Sequence, residues 1–145
     1  MTVTGVTTDK SVLEGMYEAE QRYLAAGGPG AASFDTLAPF FATDVVLYQA
    51  ENLPYGGIWR GHAGMERFFT TMAAVWERFD LVEQAYLSET SPLVVSTRVR
   101  ARARAGGSEI EFPILQTIVV AEHRITEVRP FYWDTAAIRA VCGYS

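Results

Sequence analysis

Between Asp9 and Ala26 the apolar residues Leu13, Met16, Tyr17 and Leu24 recur at the spacing of one helical face, and Gly27-Gly28-Pro29-Gly30 ends the run. Ser33 is placed to cap a short second helix reaching Phe41. Asp44 then precedes the strand-like Val45-Val46-Leu47-Tyr48, and a loop with Pro54, Gly56 and Gly57 leads into a brief Ile58-Trp59 strand. From Gly64 to Phe79, the residues Met65, Phe68, Phe69, Met72 and Trp76 share one face and predict a third helix. Beyond it the period drops to two. Residues 80–90, 93–105, 108–121 and 124–133 read as four strands, separated by Ser91-Pro92, Gly106-Gly107 and a turn at His123. Asp134 stands where it would cap a closing helix. Helices followed by an antiparallel meander predict an α+β domain with helices packed on one side of a curved sheet.

Composition narrows the class. At 145 residues, 49% apolar and with a net charge of −5, the chain is expected to form one domain over residues 1–145 that needs no covalent staple. Residues 1–8 are expected to form a flexible tail. The single cysteine, Cys142, excludes an internal disulfide and a cysteine metal site. The two histidines, His62 and His123, fall in expected turns, so no metal is expected. Lys10 is the only lysine, and no phosphate loop, nucleophile elbow or dinucleotide fingerprint occurs, so no cofactor is expected either. Net acidity argues against a nucleic-acid partner. The absence of a run of about 18 apolar residues argues against a membrane partner, and an N-terminus without a secretory pattern points to a cytoplasmic location. Arg98, Arg100, Arg102 and Arg104 alternate with Val99, Ala101 and Ala103, which places all four on one strand face: a solvated outer face or subunit rim, or else an anion site.

The order of elements, with Leu53-Pro54-Tyr55-Gly56-Gly57-Ile58-Trp59-Arg60-Gly61 opening the third helix and Tyr132-Trp133-Asp134-Thr135-Ala136-Ala137 closing the last strand, resembles SnoaL-like proteins. These belong to the ketosteroid-isomerase-like or nuclear-transport-factor-like superfamily, and the likeness covers almost the whole chain. It implies a cone-shaped curved sheet with three helices around an apolar pocket, commonly in a homodimer. It does not fix an activity, because the superfamily holds isomerases, cyclases, dehydratases, epoxide hydrolases and binding modules.

The candidate site residues come from facing and chemistry. Stepping 100° per residue puts Glu20 among Leu13, Met16, Tyr17 and Leu24, so its carboxyl is either a pocket acid or one half of a buried ion pair with an arginine such as Arg129. Alternation carries Asp134 to the face of Val128, Pro130 and Tyr132, and the resemblance places a catalytic aspartate late in the last strand. A plain helix cap is the other reading of Asp134. Gln116 is an amide among Phe112, Ile114 and Ile118, where the resemblance implies a histidine in many relatives; it either orients a ligand or bonds a neighbouring tyrosine. Glu51 falls where the resemblance puts the pocket mouth. Tyr17, Tyr48, Tyr55, Trp59, Trp76 and Tyr132 offer apolar walls with polar tips, or else plain core.

A carboxyl in such a pocket has its pKa raised by desolvation toward the operating pH. An ionised acid would take a proton beside a ligand carbonyl, while a neutral one or a tyrosine stabilises the enolate. These parts suit isomerisation, aldol cyclisation or dehydration of an apolar carbonyl-bearing metabolite. A non-catalytic binding or dimerisation module is the alternative. Epoxide hydrolysis is a minor variant, which requires Arg98 or Arg100 to point inward.

Overall fold

The computed structural model describes residues 7–144. Helix α1 spans Asp9–Ala25 and is started by Thr8, whose Oγ1 accepts from the Ser11 amide at 3.0 Å while Ser11 Oγ accepts from the Thr8 amide at 2.8 Å. Of the expected tail, residues 1–6 lie outside the described residues, and Thr8 belongs to the cap. Strands β1 (Phe41–Gln49) and β2 (Gly57–Arg60) precede α2 (Gly61–Val75). Then come β3 (Trp76–Ser88), β4 (Leu93–Ala103), β5 (Glu109–Ala121), β6 (Arg124–Tyr132) and the closing α3 (Thr135–Val141).

Three boundaries differ from the sequence reading. The expected second helix is a pair of 3₁₀ turns, Phe34–Thr36 and Ala38–Phe40, because Pro39 cannot donate an amide to a longer α-helical ladder. Strand β1 starts at Phe41 rather than Val45, so Asp44 lies inside it, on a stretch where the ladder slips. Helix α2 opens at Gly61 and stops at Val75. Trp76 continues the apolar helical pattern but adopts extended backbone and begins β3.

The six strands form one open sheet in the order β2-β1-β6-β5-β4-β3. The meander β3 to β6 is antiparallel as expected, whereas β1 joins β6 in parallel, with Leu47 opposite Val128. Strand β3 breaks register at Trp76/Arg78, Leu81/Glu83 and Tyr86/Ser88, and each break bends the strand, curving the sheet around its inner face. Val95, Val99, Phe112, Ile114 and Ile118 line that face and are buried with Leu13 and Met16 of α1 and Met65 and Phe68 of α2. No described helix is long and apolar enough to cross a membrane.

Alternation along β4 settles the arginines. Val95, Thr97, Val99, Ala101 and Ala103 are buried, while Arg98, Arg100 and Arg102 lie outside. Arg98 pairs with Glu111 at 3.2 Å, Arg100 with Glu111 at 3.4 Å and Arg102 with Glu77 at 3.7 Å. Such exposed pairs contribute at most about 1 kcal/mol each. The inward arginine that epoxide hydrolysis required is therefore absent from β4, because the small and branched residues occupy the inner face. Arg104 follows the strand and donates from Nε to the Ala73 carbonyl at the end of α2.

Candidate functional site

The concave face of the sheet and the two long helices enclose a cavity of about 510 Å³. Its walls are mostly apolar, supplied by Leu13, Met16, Met65, Phe68, Ile114 and Ile118 among others. The buried and half-buried polar side chains facing it include Tyr17 and Glu20 from α1, Gln49 from β1, Trp76 from β3, Gln116 from β5 and Tyr132 from β6. Exposed Leu24, Glu77, Arg78 and Arg104 and half-buried Asp80, which accepts from Arg78 Nε at 2.8 Å, mark its open end.

Glu20 is placed by the division of α1 into two flanks. Val12, Ala19 and Tyr23 pack into the core. Leu13, Tyr17, Glu20 and Leu24 look into the cavity. Among the described residues no hydrogen bond or ion pair reaches the Glu20 carboxyl, and Arg129 is engaged elsewhere, with Glu127 at 3.8 Å and stacked over the Tyr48 ring at 4.0 Å. Burial without a compensating cation raises the Glu20 pKa from 4.5 to about 7. Burial also pushes the neighbouring Tyr17 hydroxyl up, reinforced by Glu20 and opposed by a hydrogen bond from Gln84. Tyr17 thus stays neutral beside the acid.

A second polar feature comes from β6. The Tyr55 hydroxyl donates to the Tyr132 oxygen at 2.8 Å, leaving the Tyr132 O–H to point elsewhere. Burial raises both phenol pKa values, Tyr132 most strongly, so both stay protonated. Tyr55 is buried behind Tyr132 and does not itself face the cavity. Its loop is tied to α3, with Asn52 Nδ2 donating to Thr135 Oγ1 at 2.9 Å and Arg139 Nη1 donating to the Asn52 carbonyl at 2.6 Å. At Gly56 in that loop a Cβ would fall 2.2 Å from the Ala50 carbonyl oxygen, so the tight turn that presents Tyr55 admits only glycine. The Trp76 indole N–H is buried without an acceptor in good geometry.

The two glutamines stand apart from these hydroxyls. Gln49 is 8% exposed, and its Oε1 has no donor among the described residues. Gln116 is half-buried and makes no side-chain hydrogen bond with a described residue, so it is not the tyrosine-bonded core amide that was one of its readings.

Of the residues singled out from the sequence, Tyr17, Glu20, Trp76, Gln116 and Tyr132 line the cavity. Asp134 takes the cap reading and not the pocket reading. Strand β6 ends at Tyr132, and the chain turns out through Trp133, which is 86% exposed. Asp134 is itself exposed and caps α3 by accepting from the Ala137 amide at 3.0 Å. Its alternation with Tyr132 is lost because the strand has already finished. Tyr48 lies on the outer face, since alternation sends Val45, Leu47 and Gln49 inward. Glu51 is exposed in the loop after β1. Trp59 packs against Phe68 from behind the wall, its indole N–H donating to the Tyr55 carbonyl at 3.2 Å. Gln49 was missed, although the alternation that starts at Val45 reaches it in two further steps.

Comparison with known proteins agrees with this architecture. An NTF2-like protein from Burkholderia xenovorans superposes with a TM-score of 0.79 at 17% identity, over 96% of this chain and 100% of its own. TerC, crystallised with polyporic acid, gives 0.76 at 14% identity, over 92% and 97%. A candidate polyketide cyclase from Xanthomonas campestris gives 0.69 at 18% identity, over 94% and 100%. At these identities the likeness establishes the fold. No curated protein sequence matches the chain. The SnoaL-like domain model matches residues 20–128, from the cavity acid on α1 to the β6 wall, and by that match over three-quarters of its length the chain belongs to the SnoaL-like family.

Proposed function

We propose that this protein is a cofactor-independent acid–base enzyme of the cyclase or isomerase type, acting on an apolar small molecule that carries a carbonyl group. The observation that carries the reading is Glu20: a carboxyl in a mostly apolar cavity, without an ion-pair partner among the described residues, its pKa pushed by burial up to about 7. Near neutral pH such a group is populated in both protonation states, the condition for efficient proton transfer in either direction. Ionised Glu20 removes a proton from the carbon beside the carbonyl. The electron pair moves onto the carbonyl oxygen, which takes a hydrogen bond from Tyr132. The Tyr55 hydroxyl, donating to Tyr132, polarises that bond. Where a double bond adjoins the deprotonated carbon, the proton on Glu20 returns to the far carbon of that dienolate and the double bond moves into conjugation, giving an isomer. In a cyclisation the enolate carbon attacks a second carbonyl and the proton goes to the new alkoxide. Solved relatives described as candidate polyketide cyclases support this class.

Turnover of a panel of carbonyl compounds by wild type and by Glu20→Gln tests the reading. The variant is expected to bind the same compounds and to lose turnover, and equal turnover by both proteins overturns the role of Glu20. The cap bond that engages Asp134 leaves Glu20 without a partner acid of the kind expected, which favours a second reading, ligand binding alone. That reading predicts equal affinity and no turnover in both proteins. The outer sheet face, where Leu115 lies opposite exposed Phe131 and Ile58 opposite Tyr48, is proposed to receive a second copy of the chain.

A further inference from the structure

Two cavity amides lack partners among the described residues, and the sheet sets them side by side. In the parallel β1/β6 ladder Leu47 is opposite Val128, so two residues on, Gln49 aligns with Pro130. Pro130 is in turn opposite Gln116 of β5. Gln49, Pro130 and Gln116 therefore form one row across the inner face, the glutamines flanking a buried proline that has no N–H to offer. Two strand spacings separate their backbones, about 10 Å on a flat sheet and less on a concave one, a gap that two glutamine side chains leaning over Pro130 can close.

The state of these amides points to what they await. Gln49 is more than nine-tenths buried with a carbonyl oxygen that no described residue reaches, an unfavourable condition that a ligand donor relieves. Its terminal torsion is soft, so the amide turns to present oxygen or NH₂ to the cavity without moving the backbone. Gln116 offers the complementary end. The group that satisfies one amide oxygen and one amide NH₂ through a single atom is a hydroxyl, which gives one hydrogen bond and takes another.

The neighbouring row fixes where that hydroxyl sits on the ligand. Tyr132 is two residues beyond Pro130 on the same face, about 6.6 Å along the strand, roughly the breadth of one aromatic ring with its substituents. Resting on the reading of the cavity as a carbonyl-compound site, we propose that Gln49 and Gln116 form a hydroxyl-recognition subsite. The substrate is then a hydroxyaryl or enolic ketone whose hydroxyl lies across one ring from the carbonyl read by Tyr132.

Three matched bicyclic ketones test this by calorimetric titration of the full chain: 6-hydroxy-1-tetralone, 6-methoxy-1-tetralone and unsubstituted 1-tetralone. Wild type is expected to bind the hydroxy compound about tenfold more tightly than either of the others, the third ketone separating the lost hydrogen bond from added bulk. Gln49→Met and Gln116→Met, close in volume, are expected to bring the three affinities to within about twofold while 1-tetralone binding persists. Equal binding of the three ketones by wild type overturns the subsite and leaves the cavity reading intact, as does a preference that survives in both methionine variants. Absence of binding by all three overturns the subsite and the cavity reading together.

Discussion

Replacing Glu20 by glutamine isolates the energetic cost of the cavity acid. The substitution keeps shape and removes the ionisable proton. Below pH 4.5 the carboxyl is neutral in both the folded and the unfolded chain, so wild type and variant should be about equally stable. Between 4.5 and about 7 the unfolded chain releases its proton while the folded chain retains it, and wild-type stability falls as pH rises. Above about 7 the penalty is complete. At about 1.4 kcal/mol for each tenfold difference in proton affinity, the gap from 4.5 to about 7 amounts to about 3 kcal/mol, a ceiling because water in the cavity screens part of the charge. Urea unfolding of both proteins at pH 4, 6 and 8 measures the difference, and titrations common to both cancel. Glu20→Gln should match wild type at pH 4 and exceed it at pH 8, gaining stability where it loses turnover. A difference that stays flat across the range would show the carboxylate to be solvated or paired and would remove the basis for its role.

Other changes probe separate parts of the molecule. Tyr132→Phe should lower kcat by about 10²–10³ by deleting the donor to the developing oxyanion, and Tyr55→Phe by less, about tenfold, because it removes only polarisation of that donor; steady-state kinetics on any turned-over ketone orders the two. Asp134→Ala should cost about 1 kcal/mol of stability through the lost α3 cap and Asp134→Asn much less, neither altering ketone affinity, as thermal unfolding and titration would reveal. Phe131→Glu should shift sedimentation toward the single chain if the outer face joins two copies; an unchanged sedimentation coefficient assigns that face to solvent.

The fold was legible because its signals are periodic. Apolar spacing marks α1 and α2, and the turns at Ser91-Pro92 and Gly106-Gly107 separate the long strands. Errors arose where one pattern ran into another: Trp76 suits both the last turn of a helix and the first position of a buried strand, and only backbone geometry separates them. The parallel pairing of β1 with β6 is a long-range event that no local spacing encodes. Glu20 could be placed because one helical wheel carried enough apolar residues to define a face. The cap role of Asp134 was legible from its place ahead of Thr135, whereas its pocket reading extended alternation two residues beyond the end of the strand. Gln49 was visible in principle, yet the aromatic ring of Tyr48 beside it drew the functional reading to the wrong side of β1.

The three register slips along β3 matter beyond curvature. β3 is the last strand on its side of the sheet, and its outward backbone groups have no neighbouring strand. A foreign strand zipping onto it needs evenly spaced donors and acceptors over several residues. Interruptions at Trp76/Arg78, Leu81/Glu83 and Tyr86/Ser88 leave no long regular run to copy. The irregularity that makes room for a ligand thus also shields a thirteen-residue margin from templated aggregation.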